Sequence, residues 1–197
     1  MGFSISWCAI QGQRGDVLAA ARFHDTGEPD ECFESVFSGA EFPGGWVVIV
    51  SRSFDYFASV ERLGELSKGR RLVAALVEEH VMFSKASEWR DGVELWSAEH
   101  EGEGGDFTDL KVSGSPPPML ADVQADLMRQ QQGQDDVDFG FDIPLTVAQQ
   151  ITGFKHDATQ DVARFTRLEL LRAEPVGPED LGGRAASKRG LFGWMRK

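Results

Sequence analysis

The chain has 197 residues, of which 41% are hydrophobic and 26% are charged, and it contains 22 Gly, 8 Pro and 2 Cys. This composition is typical of a globular protein and excludes a collagen, a disulfide-stabilised scaffold and a disordered chain. The formal net charge of −12 argues against general nucleic-acid binding, because an acidic surface repels the phosphate backbone.

The first fifty residues predict two strands and one helix. Residues 3–10 alternate apolar with small or polar side chains, as a half-buried strand does. A short helix over 17–23, capped by Asp16, precedes an irregular connection over 24–45 that is rich in Gly and Pro. Residues 46–50 are almost wholly apolar and β-branched, which predicts a central strand buried on both faces.

The middle of the chain predicts a helix and then a hairpin. Apolar side chains at helical spacing indicate a helix over 54–67. Residues 72–77 fit either a helix or a strand, and the β-favouring residues at alternate positions favour a strand. Asp91 and Gly92 predict a two-residue hairpin turn, which would pair Phe83 with His100 and place Trp89 and Trp96 on one face.

Beyond His100 an acidic loop leads to a last short strand at 110–112 and to three prolines at 116–118. Helical spacing predicts a helix over 119–132. Pro144 suits the first turn of another helix, 145–152, that ends at Gly153. Residues 165–171 fit a strand or a final helix.

The last residues, 175–197, differ from the rest of the chain. They carry five basic and two acidic residues, a net charge of +3, so the remaining 174 residues carry −15. An aromatic side chain in such a basic, Gly-rich segment is typical of a docking peptide. The predicted partner-binding residues are Lys188, Arg189, Leu191, Phe192, Trp194 and Met195. Disorder is the competing interpretation of this tail.

The candidate metal ligands are Glu78, His80, Glu99 and His100, because imidazole and carboxylate groups bind zinc and other divalent ions. Their spacing matches neither HExxH nor CxxC, and the predicted hairpin turns His80 and His100 to opposite faces. We therefore expect a solvated strand end more than a metal site, and no cofactor.

Other catalytic patterns are also missing from the sequence. It contains no GxSxG turn, no GxxxxGK[ST] loop and no GxGxxG motif after a strand. An enzyme is therefore less expected than a binding protein. No apolar run is long enough to span a membrane and no signal peptide is evident, so we expect a cytoplasmic protein.

Several strings of the chain resemble a group of bacterial hypothetical proteins. They are residues 1–7, 78–84, 89–92, 141–144 and 152–157, together with Trp96 and His100. The resemblance covers residues 1–157 and leaves out the tail. It implies a bacterial origin and carries no activity and no site residue.

These patterns together predict an α+β protein, with a mainly antiparallel sheet of about five strands, packed helices and a helical C-terminal part. We expect a sheet core over 1–115, a helical part of the same domain over 116–174 and the basic aromatic tail over 175–197. The leading functional expectation is a non-enzymatic acidic protein that binds a protein partner, as an immunity protein or inhibitor does. The alternatives are a metal-dependent or hydrolytic enzyme using His80 or His100, and a peripheral membrane protein anchored by its tail.

Overall fold

The computed structural model describes residues 2–102, 105–134, 136–158 and 163–171. Its main feature is one nine-stranded sheet in which every neighbouring pair is antiparallel. The strands are β1 (Ser4–Gln11), β2 (Phe23–Pro29), β3 (Phe37–Phe42), β4 (Trp46–Ser51), β5 (Arg71–Glu78), β6 (Phe83–Arg90), β7 (Val93–Glu101), β8 (Lys111–Gly114) and β9 (Thr166–Leu170). The helices are α1 (Arg14–Ala20), α2 (Val60–Leu66), α3 (Met119–Gln131) and α4 (Asp142–Thr152).

The strand order is β2-β9-β3-β4-β1-β5-β6-β7-β8, so β1 lies in the middle of the sheet. All six residues of β4 are buried, which confirms the prediction of a central strand covered on both faces. Alternate residues along β4 belong to two separate cores, since Val48 packs with α3 and α4 whereas Ile49 packs with α1 and α2. Each face of the sheet therefore has its own hydrophobic core.

The prediction of about five strands with a helical C-terminal part is wrong. Residues 24–45 contain β2 and β3, and the segment after α4 adds β9 between them. The β3 strand is rich in small residues, and a Cβ at Gly39 would lie 2.7 Å from the Leu168 Cδ1 atom of β9. Small side chains that resemble a loop in the sequence thus make room for a neighbouring strand.

The hairpin of β6 and β7 forms as predicted, but its register differs. Asp91 and Gly92 both have positive φ, at 51° and 85°, as a type I′ turn requires. The register then shifts by one residue, because Trp89 pairs with Glu94 whereas Glu88 pairs with Trp96. Trp89 and Trp96 consequently pack into different cores, and the predicted pairing of His100 with Phe83 is wrong by one position.

The helices follow local signals with shifted ends. The strand option for residues 72–77 is confirmed by β5, and α4 ends where Gly153 adopts a φ of 82°. The predicted helix over 54–67 forms only as α2, which begins after Ser59, whose side chain accepts a hydrogen bond from the backbone N–H of Arg62. In the described ranges no helix is long and apolar enough to cross a membrane.

The tail prediction concerns residues outside those that the structure describes. These are Lys188, Arg189, Leu191, Phe192, Trp194 and Met195. Their role as a docking element remains a prediction.

Candidate functional site

A groove runs along the start of β1 on the face of the sheet that carries α4. It consists of two adjoining cavities of about 700 and 440 Å³ that share Phe3, Cys32 and Phe33. We call it the amino-terminal groove, and its lining residues are 2–5, 31–34, 156–158 and 163–165 with Arg52.

One wall of the groove is the loop between β2 and β3, which is organised by the Asp30 carboxylate. Its oxygens accept hydrogen bonds from the backbone N–H groups of Glu34 and Ser35 at 2.8 and 3.1 Å, and from Ser38 Oγ at 2.5 Å. Burial by itself raises the pKa of Asp30, but these hydrogen bonds outweigh it, and the pKa lies below its ordinary value. The loop is thus held in one conformation, with Phe33 at a positive φ of 54°.

The base of the groove is tied together by Glu79, which directly follows β5. Glu79 Oε2 accepts a hydrogen bond from the backbone N–H of Phe3 at 2.8 Å, and Glu79 Oε1 lies 3.2 Å from His156 Nε2. His156 belongs to the segment after α4, 77 residues further along the chain. One carboxylate therefore joins the amino-terminal residues, the central sheet and the segment that follows the last helix.

His156 is 4% exposed, and its Nδ1 atom has no hydrogen-bond partner among the described residues. In a neutral imidazole one nitrogen donates and the other accepts. The contact with Glu79 favours the proton on Nε2, which leaves Nδ1 as an acceptor. The Nδ1 atom has almost no contact with solvent, so it lies behind the groove and is not an accessible part of its lining.

The groove combines aromatic walls with an acidic rim. The Phe33 ring packs edge-on against the Phe165 ring at 4.9 Å, and the Phe3 ring against the His156 ring at 5.2 Å. The carboxylates at the lining positions are Glu31, Glu34 and Asp157, and the cations are Arg52 and Arg164. Aromatic faces beside carboxylates are the surroundings that an ammonium or guanidinium group prefers.

The rim charges are only partly neutralised. Asp157 Oδ2 lies 3.1 Å from Lys155 Nζ, whereas Glu31 and Glu34 form no ion pair with any residue in the described ranges. Arg52 uses its guanidinium to donate to the main-chain oxygen of Glu34 at 2.9 Å. Two exposed carboxylates of the β2–β3 loop are therefore available to a cationic ligand.

The four candidate metal ligands do not form one cluster. Glu78 accepts hydrogen bonds from Ser4 Oγ and from the backbone N–H of His80, and His80 is exposed beside Gly2. Glu99 lies between Lys85 and Lys111 on the neighbouring strands, and its side chain leaves the opposite face of β7 from that of His100. Within the described ranges no group of three or more His, Cys, Asp or Glu side chains is arranged to hold a metal ion.

His100 is fully buried, and its hydrogen-bond partners are not among the candidate metal ligands. Its Nε2 lies 2.9 Å from Asp138 Oδ2 and its Nδ1 lies 2.5 Å from the main-chain oxygen of Asp109. Asp138 also accepts a hydrogen bond from the backbone N–H of Phe141, next to α4. This pair connects β7 to the loop that follows it and to the start of α4, so its geometry is that of a structural contact.

The sequence patterns do not predict two carboxylate–histidine contacts, Glu79 with His156 and Asp138 with His100. Asp138 belongs to an acidic stretch that resembles a solvated loop. Glu79 is adjacent to Glu78 and His80 in sequence, and nothing local distinguishes it from them. Only pairing across 77 and 38 residues brings each carboxylate to its histidine.

Comparison of this chain with protein families, curated proteins and solved structures found no match.

Proposed function

We propose that this protein is a non-enzymatic interaction protein of the bacterial cytoplasm that binds a basic segment of a protein partner in its amino-terminal groove. An immunity-like or inhibitor-like role fits this mode of binding. The observation that supports the proposal is the groove itself, in which an acidic rim borders aromatic walls.

The groove suits a lysine or arginine side chain. Its charged head can reach the carboxylates of Glu31 and Glu34, while its apolar stem packs on Phe3 and Phe33. An extended peptide is the natural occupant, because the two cavities follow one another along the start of β1.

The charge of the whole chain supports the same partner. A net charge of −12 attracts a basic protein over several ångströms and raises its association rate at low ionic strength. The Debye length is about 8 Å at physiological salt, so this long-range contribution weakens as salt is added. Binding should therefore be strongly salt-dependent, mainly through the association rate.

The test compares two double charge reversals in the full-length chain. The groove variant carries Glu31→Lys and Glu34→Lys, and the control carries Glu41→Lys and Asp122→Lys, which change the net charge equally at exposed positions outside the groove. A partner captured from native lysate is identified by mass spectrometry, purified and titrated against each variant. We expect the groove variant to bind at least about tenfold more weakly than the control, because like charges then meet at the contact.

Three results would contradict the proposal. Equal affinity of both variants would remove the groove from the interface. The absence of any partner, together with stoichiometric metal in the purified protein, would favour the enzyme alternative with His80 or His100. Binding to anionic vesicles that is lost when the chain ends at Glu174 would favour the membrane alternative and the predicted tail residues.

A further inference from the structure

Another cavity lies between the amino-terminal groove and the point at which the described chain ends. Its volume is about 550 Å³, and its lining residues are 34–37 and 167–170. It shares Glu34 with the groove, so the two adjoin at that residue. We call it the exit depression, because Leu170 belongs to its lining and the described chain ends at Leu171.

Apolar side chains are exposed in the exit depression and just beyond it. Val36 is 64% exposed, Leu170 46% and Leu171 49%. Exposed aliphatic side chains that lie together are typical of a contact surface, whereas isolated ones are common on any protein. The backbone N–H of Leu171 donates to the main-chain oxygen of Arg22 at 2.8 Å, which fixes the position of this end. The segment that follows residue 171 therefore starts beside an apolar surface that leads to the groove.

The chain beyond this point carries the charge that complements the groove. Residues 184–197 contain five basic and no acidic side chains, a net charge of +5, whereas the rest of the chain carries −17. The same segment contains Phe192 and Trp194. The groove offers aromatic walls and the exposed rim carboxylates of Glu31 and Glu34. Cationic and aromatic side chains are the ones that such surroundings favour.

The length of the chain permits the contact. Lys188, the first predicted docking residue, follows Leu171 by 17 residues, which span at most about 60 Å when fully extended. Phe165 lines the groove at the start of β9, and Leu171 lies about 20 Å further along at the rise of a strand. The connecting segment is therefore about three times longer than the distance it must cover.

We propose that residues 184–197 of the same chain occupy the amino-terminal groove and must be displaced by the basic partner. The basic side chains of the segment pair with the rim carboxylates, and its rings pack on the aromatic walls. Attachment to the same chain gives the segment an effective concentration on the order of 1 mM. A dissociation constant of about 100 μM then suffices to keep the groove occupied in about 90% of the molecules.

This inference rests on the groove of the proposed function and adds its regulation. A segment that occupies the groove competes with every basic protein that the acidic surface attracts. Weak binders then fail to displace it, and only a partner with a higher affinity gains access to the groove. The segment thus provides discrimination between partners that long-range electrostatic attraction does not provide.

The groove contains its own reporter of occupancy. Cys32 lines both of its cavities and is exposed, whereas Cys8 is fully buried and burial raises the pKa of its thiol. The test measures the rate at which iodoacetamide alkylates Cys32 in the full-length protein, followed by mass spectrometry. Alkylation of Cys8 in the same sample reports any loss of folding.

Two double charge reversals are compared with the wild type. The tail variant carries Lys188→Glu and Arg189→Glu, and the control carries Lys68→Glu and Arg129→Glu, which change the net charge equally at exposed positions outside the groove. We expect Cys32 to react about tenfold faster in the tail variant than in the wild type, and at the wild-type rate in the control. Added salt should abolish most of the protection in the wild type, because it screens the opposite charges.

Equal alkylation rates in the wild type and the tail variant would overturn the proposal. Protection that disappears on dilution, with Lys188 joined by a carbodiimide to a carboxylate of a second copy, would also overturn it, because the occupant is then the tail of another molecule. The proposed function fails separately. Protection of Cys32 without any captured partner contradicts only that function, whereas partner binding that is lost in the groove variant, with Cys32 unprotected throughout, contradicts only this inference.

Discussion

Replacing Asp138 by alanine should destabilise the fold far more than an ordinary loss of a carboxylate. The contact is buried, with side-chain exposures of 0% for His100 and 3% for Asp138, so solvent does not screen it. Asp138 makes two hydrogen bonds, to His100 Nε2 at 2.9 Å and from the backbone N–H of Phe141 at 3.2 Å. Both bonds are accepted by a carboxylate, and each such charge-assisted bond contributes about 1.5–3 kcal/mol.

These values predict a loss of about 3–6 kcal/mol in the free energy of unfolding for Asp138→Ala. The range agrees with the cost of about 3–5 kcal/mol for breaking a buried pair by removing one partner. Urea unfolding followed by circular dichroism measures the change, with Asp126→Ala as the control, because Asp126 is exposed on α3 and its loss should cost less than about 0.5 kcal/mol.

Asp138→Asn tests the same contact by changing which group donates the hydrogen bond. Both partners of His100 are hydrogen-bond acceptors, namely the main-chain oxygen of Asp109 and the Asp138 carboxylate. A proton must therefore lie between each ring nitrogen and its acceptor. An asparagine amide can instead donate to Nε2 of a neutral ring, which keeps the contact without charge. We expect a smaller loss, of about 1–2 kcal/mol. A loss below about 1 kcal/mol for Asp138→Ala would refute the assignment of this pair as a structural contact.

Two further predictions concern the sheet edge and the loop of the groove. Gly114→Ala should cost about 2–4 kcal/mol in urea unfolding, because φ is 72° and the new Cβ would lie 2.2 Å from the main-chain oxygen of Leu95. Gly105→Ala, at a φ of 79° with no atom of the described residues within 4 Å of the new Cβ, should cost only about 1 kcal/mol, and equal losses would contradict the steric argument. The pKa of Asp30 is lowered in the folded state, because hydrogen bonds such as that from Ser38 outweigh burial. The contribution of Asp30 to the free energy of unfolding is therefore present above its ordinary pKa of 3.8 and is lost as the pH falls through the folded-state pKa. The free energy of unfolding should therefore fall less steeply in Asp30→Asn than in the wild type between about pH 5 and about pH 2, and parallel curves would contradict this.

Elements with strong local signals could be predicted from the sequence. The apolar, β-branched run at 46–50 predicts an interior strand without reference to a partner, and all six residues of β4 are buried. The turn at Asp91 and Gly92 and the end of α4 at Gly153 depend on positive φ angles that these residue types adopt readily. Such signals involve neighbours in the chain, so they do not depend on the rest of the fold.

The sequence did not predict β2 and β3, and it left a strand or a helix open for β9, because part of their pairing is distant in the chain. β3 and β9 pair over more than 120 residues, as in Phe37 with Leu168, and neither is distinctive on its own. Most of β2 is exposed at the edge of the sheet, where its Gly27 and Pro29 are tolerated although they resemble a loop. The register shift in β7 likewise follows from packing, because it allows Trp89 and Trp96 to fill separate cores.

The sequence by itself determined the acidic character of the chain, the hairpin turn, the central strand and the two longer helices. Only the tertiary structure decided which charged residues meet. Glu79 reaches His156, and Asp138 reaches His100, because the packing of strands and helices brings together residues that are far apart in the chain. The physical reason is that charge and hydrophobic period are local properties, whereas a binding site depends on long-range pairing whose energy comes from burying both faces of the sheet.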